Sequence, residues 1–305
     1  MKKNTLKNIA GLTLIEILIG VVISSIMMAA MYTTYTVVNN SYSQVTDRAK
    51  ISRSGRDIVE MMMRDIRMAG FKYFLGTNDL GFTTKTYLEF VGGNTSVQES
   101  HDPIIIIQNQ LGYSRSSSGT TPTLPVKNEA EDMCCDKIHI VFGDFNHNDT
   151  TQPYKKYKIT YYALPKSDSD GNDQRYAVYK TKESWIQVIG DETGEWRDDC
   201  TDCYVGELIR DHLVDMEFIP FNKEGRIIDP PPRPDNDSRT KLYKIKAVDV
   251  RLTFRSKKEF FRFAPSPDKP RLVKGLGDRT REFLDKYLRD SVVVTIHTRN
   301  IGEGI

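Results

Sequence analysis

The sequence predicts an α+β protein in which a long N-terminal helix packs against a mainly antiparallel β-sheet. Two observations predict the helix: an apolar run extends from residue 12 to about residue 31, and no proline occurs before Pro103. A third observation predicts the sheet. After Phe71 the sequence changes to short runs of alternating apolar residues that are separated by polar loops.

The composition limits both the size and the class of the protein. A chain of 305 residues can bury one sizeable core, or at most two. Its 43 basic and 41 acidic residues nearly balance, so the sequence carries no basic excess of the kind that indicates a nucleic-acid partner. The mean hydropathy is that of a soluble protein and allows a single membrane segment at most.

The N-terminus has the charge and length of an export segment. Lys2, Lys3 and Lys7 precede the apolar run with no acidic residue among them, which predicts a cytoplasmic N-terminus. The run of about 20 residues spans roughly 30 Å as a helix, so a transmembrane part is predicted at about 12–32. A secretory signal cleaved near Met28-Ala29-Ala30, or an ordinary uncleaved anchor, would explain the same run.

Glu16 argues against both of those explanations. A carboxylate inside a hydrophobic span costs about 3 kcal/mol on insertion scales, so it needs a partner or a role. Cleavage after Gly11 would create a charged α-amine at Leu12. That amine and the Glu16 carboxylate of a neighbouring copy could neutralise each other within an apolar bundle.

The basic leader, Gly11 and the following Leu-Thr-Leu-Ile-Glu resemble the class III prepilin motif of type IV pilins and type II secretion pseudopilins. The resemblance implies that residues 1–11 are a leader peptide removed by a prepilin peptidase and that Leu12 becomes the N-methylated first residue. It also implies that Glu16 guides docking into a filament. Leu12 stands where the family usually has phenylalanine.

Residues 12–70 are predicted to form one helix. Apolar and small residues recur every three or four positions from Val38 to Ala69, which describes one helical face. The sheet is expected to cover the part of this face from Ala49 onward. Gly70 is expected to take the left-handed capping conformation, with Phe71 packed back on the last turn.

Other residues of this helix also carry predictions. Asp57, Glu60 and Asp65 are expected on its solvent-facing sides. Met61-Met62-Met63 is expected to pack in the core rather than to bind metal. Gly20 and Gly55 could allow close packing or local melting on assembly, each at a cost of about 1 kcal/mol relative to alanine.

The residues at the end of the helix make the family resemblance more specific. Arg56-Asp57-Ile58-Val59-Glu60 and the later Met68-Ala69-Gly70-Phe71 resemble the helix end of PilW-type minor pilins. Part of the pattern also occurs in J-type pseudopilins, but the large head at 71–305 favours PilW. The closing Val-Val-Val-Thr-Ile-His-Thr-Arg-Asn resembles the end of PilW-like chains.

The PilW resemblance implies a non-enzymatic protein of the bacterial inner membrane, with its head in the periplasm and later on the cell surface. Its partners would be other minor and major pilins, the prepilin peptidase and the inner-membrane assembly platform. Its task would be to initiate or cap a type IV pilus. A J-type pseudopilin of a type II secretion system is the nearest alternative. An anchored or secreted binding protein or enzyme with a coincidental N-terminus is the alternative from another class.

Periodicity places the strands and one helix of the head. Residues 137–142 and 157–164 are predicted to form one hairpin, and 175–181 with 184–189 another. Further strands are predicted at 87–91, 104–108, 213–221, 244–254 and 292–299, and a helix is predicted at 279–289.

Four cysteines fall in the head, at Cys134, Cys135, Cys200 and Cys203. An even number in an exported chain favours disulfides. We predict two cross-links that join the 134/135 turn to the 200–203 loop. A single zinc site is the alternative, although adjacent cysteines suit one ion poorly. A thioredoxin-like role for the Cys200 and Cys203 pair lacks the βαβ context that it would need.

Two polar loops begin like calcium sites, with oxygen-bearing side chains at alternate positions: Asp144, Asn146 and Asn148 in the first, and Asp168, Asp170 and Asn172 in the second. In the first loop Asp149 replaces the usual glycine and Lys155 the usual glutamate, so an ordinary polar turn is the preferred interpretation. No cofactor is predicted, and calcium is kept as a weak alternative. No catalytic motif is found among the five scattered histidines.

Overall fold

The computed structural model describes residues 13–71, 102–109, 134–145, 154–166, 175–187, 194–232, 239–276 and 279–301. These ranges contain two helices, α1 (Leu14–Met68) and α2 (Arg239–Leu242), and ten strands. The strands are β1 (Ile104–Ile107), β2 (Lys137–Phe145), β3 (Tyr154–Lys166), β4 (Arg175–Gln187), β5 (Gly194–Arg197), β6 (Tyr204–Phe221), β7 (Ala247–Arg255), β8 (Arg271–Lys274), β9 (Thr280–Phe283) and β10 (Arg289–His297). The chain divides into two units, with the boundary between Ala49 and Lys50.

The C-terminal unit is built on an antiparallel sheet with the strand order β1-β2-β3-β4-β6-β7-β10, and β5 also pairs with β4. The alternation of inward and outward side chains along each strand sets the register of the sheet, because one face of each strand must point into the core. Thus Ile140 lies opposite Ile159, and Phe218 lies opposite Val250. The fold class predicted from the sequence, a long N-terminal helix with an antiparallel sheet, is confirmed.

The last part of α1 covers the inner face of this sheet. Its buried residues are Ile51, Gly55, Ile58, Val59, Met62, Asp65 and Ile66. They recur at spacings of three and four, as predicted for the covered face. Met62 is fully buried, and Met61 and Met63 pack at the edge of the core, so the prediction that these methionines serve packing is confirmed.

Gly70 ends α1 in the predicted left-handed conformation, with φ at 75°. Its amide donates to the Val141 carbonyl at 2.8 Å, and the Phe71 amide donates to the Met68 carbonyl at 3.0 Å. A Cβ at position 70 would lie 3.2 Å from the Ile301 side chain and 3.3 Å from that of Pro103. Both the backbone angle and the crowding therefore favour glycine here.

Asp65 contradicts the prediction that it faces solvent. It is buried, its carboxylate lies 2.8 Å from Lys180 Nζ, and it accepts a 2.6 Å hydrogen bond from the Tyr161 hydroxyl. Charge alone suggested an exposed position. The partners that make burial tolerable come from strands more than 90 residues away, so the sequence pattern of the helix did not reveal them.

Two secondary-structure predictions for the head are wrong. Residues 175–187 form one continuous strand rather than a pair, because Lys182 and Glu183 continue the ladder with β3 instead of turning. The predicted helix at 279–289 is also not formed. Residues 280–283 pair with 271–274 as a two-stranded sheet, and this pairing overrides the helix propensity of the segment. The strand predicted at 87–91 lies outside the described residues.

Candidate functional site

The N-terminal part of α1 presents an apolar surface. Large apolar side chains that are roughly half exposed or more follow one another along it: Leu14, Ile15, Ile17, Leu18, Ile19, Val21, Val22, Ile23, Ile26, Met27, Met28, Met31, Tyr32, Tyr35, Val37, Val38, Tyr42 and Val45. Glu16 is the only charged residue between positions 13 and 46. By length and composition this helix could cross a membrane.

Several serine and threonine hydroxyl groups in this part of the helix make hydrogen bonds within it. Ser24 donates to the Gly20 carbonyl at 2.7 Å, and Thr34 donates to the Ala30 carbonyl at 2.9 Å. Thr33 and Thr36 make similar bonds three residues back. Because these side chains bond to their own backbone, they add little polarity to the surface that the helix offers to lipid or to another helix.

Glu16 closes a capping box with Thr13. The Thr13 amide and hydroxyl each donate to Glu16 Oε2 at 2.8 Å, and the Glu16 amide lies 3.4 Å from Thr13 Oγ1. This arrangement satisfies backbone groups that a helix start leaves open. This capping role of Glu16 was not predicted, although the sequence Thr-Leu-Ile-Glu is typical of a capping box. Gly11 and Leu12 lie outside the described residues, so their processing stays a prediction.

The cysteines pair within each motif, Cys134 with Cys135 and Cys200 with Cys203. The predicted cross-links between the two motifs are therefore wrong. The Asp136 amide donates to the Met216 carbonyl at 2.7 Å, whereas Cys203 directly precedes the first residue of β6. Tyr204 and Leu213 lie opposite β4 residues that are six positions apart, which is roughly 20 Å, and Met216 lies farther along β6, whereas a disulfide joins Cα atoms about 6 Å apart. The same separation rules out a zinc site shared by all four cysteines.

Of the calcium candidates, only Asp144 is described. It lies in β2, where it is exposed and stands opposite Lys155 of β3. Asn146, Asn148, Asp168, Asp170 and Asn172 lie outside the described residues, so the calcium alternative stays untested.

A buried ionic cluster ties the β8–β9 hairpin to the main sheet. It was not predicted from the sequence. Arg279 lies 2.8 Å from Asp136 and 3.2 Å from Asp215, and Arg251 lies 3.5 Å from Glu217. Asp136 also accepts hydrogen bonds from the amides of Asn109 and Phe218, at 3.1 and 3.0 Å. The residues of the cluster come from five separate segments of the chain, so no local sequence pattern could predict the cluster.

Burial sets the protonation of this cluster. Desolvation raises the pKa of the Asp215 and Glu217 carboxyls above their ordinary values, although nearby arginines oppose the change. Desolvation also acts to lower the pKa of Arg279, but the carboxylates of Asp136 and Asp215 outweigh it and raise that pKa. The arrangement is a buried cross-link between elements, and no substrate-sized opening accompanies it among the described residues.

His139 is a partly buried histidine of β2 whose ring makes a hydrogen bond. Its Nδ1 lies 2.8 Å from Thr160 Oγ1. Desolvation, followed by the charges of Lys137 and Lys158, lowers the pKa of the imidazole well below its ordinary value, so the ring is neutral. His297 is exposed in β10.

One comparison with known proteins concerns the N-terminus. Residues 6–32 match the family model described as the prokaryotic N-terminal methylation motif. Among solved structures, the chain is similar to a type IV-like pilin from Thermus thermophilus, with 9% sequence identity and a TM-score of 0.27 over 55% of this chain and 80% of that one. No curated protein sequence matches the chain. The chain thus carries a prepilin-type methylation motif at the start of a long apolar helix.

Proposed function

We propose that this chain is a non-enzymatic minor pilin of the PilW type, which initiates or caps a type IV pilus. The observation that carries the proposal is the methylation motif at residues 6–32, together with the exposed apolar side chains that helix α1 presents from Leu14 onward and with Glu16 as the one charged residue between positions 13 and 46. In this proposal prepilin peptidase cleaves after Gly11, and the new N-terminus at Leu12 is methylated. The head lies in the periplasm until the subunit enters the pilus.

Assembly would be driven by the apolar surface of the helix. Side chains that are exposed in a single copy can pack against the helices of other pilins and lipid. The Glu16 carboxylate would pair with the Leu12 amine of a neighbouring subunit, since each charge is costly alone in apolar surroundings. The capping box supports this role because Thr13 holds the carboxylate at the start of the helix.

A J-type pseudopilin is the second candidate, because the same motif serves both classes. The size of the head favours the pilus protein. Identifying the proteins that co-purify with the chain would separate the two: minor pilins support the proposal, and the other pseudopilins of a secretion system support the alternative.

The direct test is mass spectrometry of the mature N-terminus, with the protein expressed alongside a prepilin peptidase. We expect a chain that begins with N-methylated Leu12. A matched Gly11→Ala variant should remain unprocessed while still reaching the membrane. A mature chain that begins near Met31 would identify an ordinary secretory signal and would refute the proposal.

A further inference from the structure

Charge is segregated on the head although the chain as a whole is nearly neutral. Residues 257–274 contain six basic and two acidic residues, whereas residues 194–208 contain five acidic residues and one basic residue. We call residues 257–274 together with Leu284 the basic surface, and residues 194–208 the acidic surface. Of the seven large apolar side chains that are exposed in the described head, five lie on these two surfaces.

The basic surface is an ordered structure with outward apolar groups. Phe263, Leu272 and Leu284 are 52% to 72% exposed. The Arg271 guanidinium lies 3.5 Å from the centre of the Phe261 ring and donates to the Phe263 carbonyl at 3.3 Å. Leu272 and Leu284 lie on the exposed face of the β8–β9 hairpin, so the apolar groups are held in place beside exposed Lys257, Lys258 and Arg262.

The acidic surface is formed where β5 and β6 follow each other along one edge of β4. Arg197 pairs with Ser184 and Tyr204 pairs with Lys182, so residues 198–203 loop out between the two strands. The Cys200–Cys203 disulfide closes this loop. Asp198, Asp199 and Asp202 are exposed on it, and Val205 and Leu208 follow with 49% and 47% of their surface exposed.

The two surfaces of one molecule cannot contact each other. Arg279 and the Leu276 amide tie the hairpin to Asp215 and Glu217 of β6, whereas the acidic surface ends at Leu208. Tyr204 lies opposite Lys182 and Leu213 opposite Tyr176, so these parts of β6 are six residues of β4 apart, which is roughly 20 Å. A contact between the two surfaces therefore needs a second molecule.

We propose that the basic surface of one copy docks on the acidic surface of a second copy of this chain. Opposite charges on the two surfaces favour this orientation over basic-to-basic and acidic-to-acidic contacts, in which like charges repel. Exposed Phe263, Leu272 and Leu284 of the basic surface would supply the apolar part of the contact together with exposed Val205 and Leu208 of the acidic surface. Such an interface is heterologous, so it can be repeated from copy to copy along an assembly. The proposal concerns the head and does not depend on the pilus assignment.

The test uses two full-length variants in detergent, Phe263→Cys and Val205→Cys, each with one added cysteine beside the two native disulfides, mixed under mild oxidation. We expect a mixed disulfide dimer that forms faster than either self-linked dimer. Ile227→Cys is the matched control, because Ile227 is an equally exposed apolar residue outside both surfaces. It should not cross-link to Phe263→Cys.

Charge reversal tests whether the opposite charges of the two surfaces determine the cross-linking. Lys257→Glu with Lys258→Glu in the Phe263→Cys chain should remove the mixed dimer. Asp198→Lys with Asp199→Lys in the Val205→Cys chain should restore it when the two reversed chains are mixed. Failure to restore it, a predominant dimer linked through position 263 on both chains, or cross-linking as strong with the Ile227→Cys control would each overturn the proposal.

A separate measurement tests whether the basic surface binds a second copy of the chain or another anionic partner. The wild-type chain is tested for binding to anionic vesicles and to oligonucleotides. If it binds one of them, if Lys257→Glu with Lys258→Glu abolishes that binding, and if no mixed dimer forms, the basic surface is assigned to that membrane or polymer instead. The mass of the mature N-terminus is recorded on the same preparations. A chain correctly cleaved after Gly11 that fails to cross-link would refute the head contact and leave the pilin proposal standing.

Discussion

Glu16 has one role within the chain, which the structure shows, and a second role between chains, which we propose. Within the chain it accepts hydrogen bonds from the Thr13 amide and hydroxyl. Between chains it is the one carboxylate that an otherwise apolar surface offers for pairing. Because the capping box satisfies helix ends in water and in lipid alike, the intrachain role would exist before assembly.

We expect Glu16→Ala to leave membrane insertion intact and to reduce incorporation into the pilus by roughly tenfold or more, since ~1.4 kcal/mol of lost pairing already gives a factor of ten. Co-purification with the other pilins measures this. Thr13→Val is the control, because it removes the capping hydroxyl and keeps the carboxylate. Normal co-purification of the Glu16→Ala chain would show that the docking role is wrong.

Asp65 is the second residue whose role depends on a partner. Its carboxylate neutralises Lys180 inside the core and accepts from Tyr161, and a buried charge without its partner is costly. Asp65→Asn should therefore lower the free energy of unfolding by about 3–5 kcal/mol. Urea titration of the full-length protein in detergent measures the change.

Asp57→Asn is the matched control for that prediction. Asp57 is exposed on the same helix, and its substitution should change stability by no more than about 0.5 kcal/mol. Equal effects of the two substitutions would mean that the ion pair with Lys180 contributes little.

At the scale of elements, Gly55 sets how closely α1 approaches β10. A Cβ at position 55 would lie 2.7 Å from Val292 Cγ2, which is closer than real Cβ contacts allow. The glycine costs helix propensity, yet it allows the helix and the strand to meet. The suggestion from the sequence that Gly55 permits close packing is consistent with this contact.

Gly55→Ala should lower stability by about 1–2 kcal/mol, because the clash outweighs the gain of about 1 kcal/mol in helix propensity. Adding Val292→Ala should recover part of the loss, since it removes the methyl group that the new Cβ meets. A double-mutant cycle by thermal or urea unfolding gives the coupling. Strictly additive effects would show that the two positions do not touch.

At the scale of the whole molecule, the ionic cluster around Arg279 joins the long excursion between β7 and β10 to the sheet. The guanidinium contacts Asp136 of the segment before β2 and Asp215 of β6, and it also donates to Asn109 Oδ1 at 3.0 Å. Three carboxylates lie close together, so removing the arginine leaves like charges buried side by side.

Arg279→Gln should destabilise the protein by about 3–5 kcal/mol at neutral pH and make residues 257–274 more sensitive to protease. Burial raises the pKa of Asp215 and Glu217 in the folded state, so the fold takes up protons there as the pH falls. Without Arg279 these pKa values should rise further. The loss of stability should therefore shrink as the pH is lowered below neutrality.

Unfolding measured at several pH values, together with limited proteolysis, tests this prediction. Arg262→Gln is the control, because Arg262 is an exposed arginine of the same excursion. A destabilisation of the Arg279→Gln chain that grows on acidification would contradict the assigned sign.

The sequence by itself determined the features that depend on neighbouring residues in the chain. Helix α1, its glycine cap, the apolar surface with Glu16 and most strand positions follow from periodicity and local chemistry, which a single segment contains. The methylation motif belongs to this group as well, since it is a contiguous pattern at residues 6–32.

Only the tertiary structure decided which distant groups meet. The Asp65–Lys180 pair, the Arg279 cluster and the pairing of cysteines within each motif depend on strand order and on lengths along β6. The 280–283 strand likewise exists because β8 pairs with it. Long-range contacts of this kind carry no local signature, because the free energy that selects them comes from burial and partners supplied by other segments.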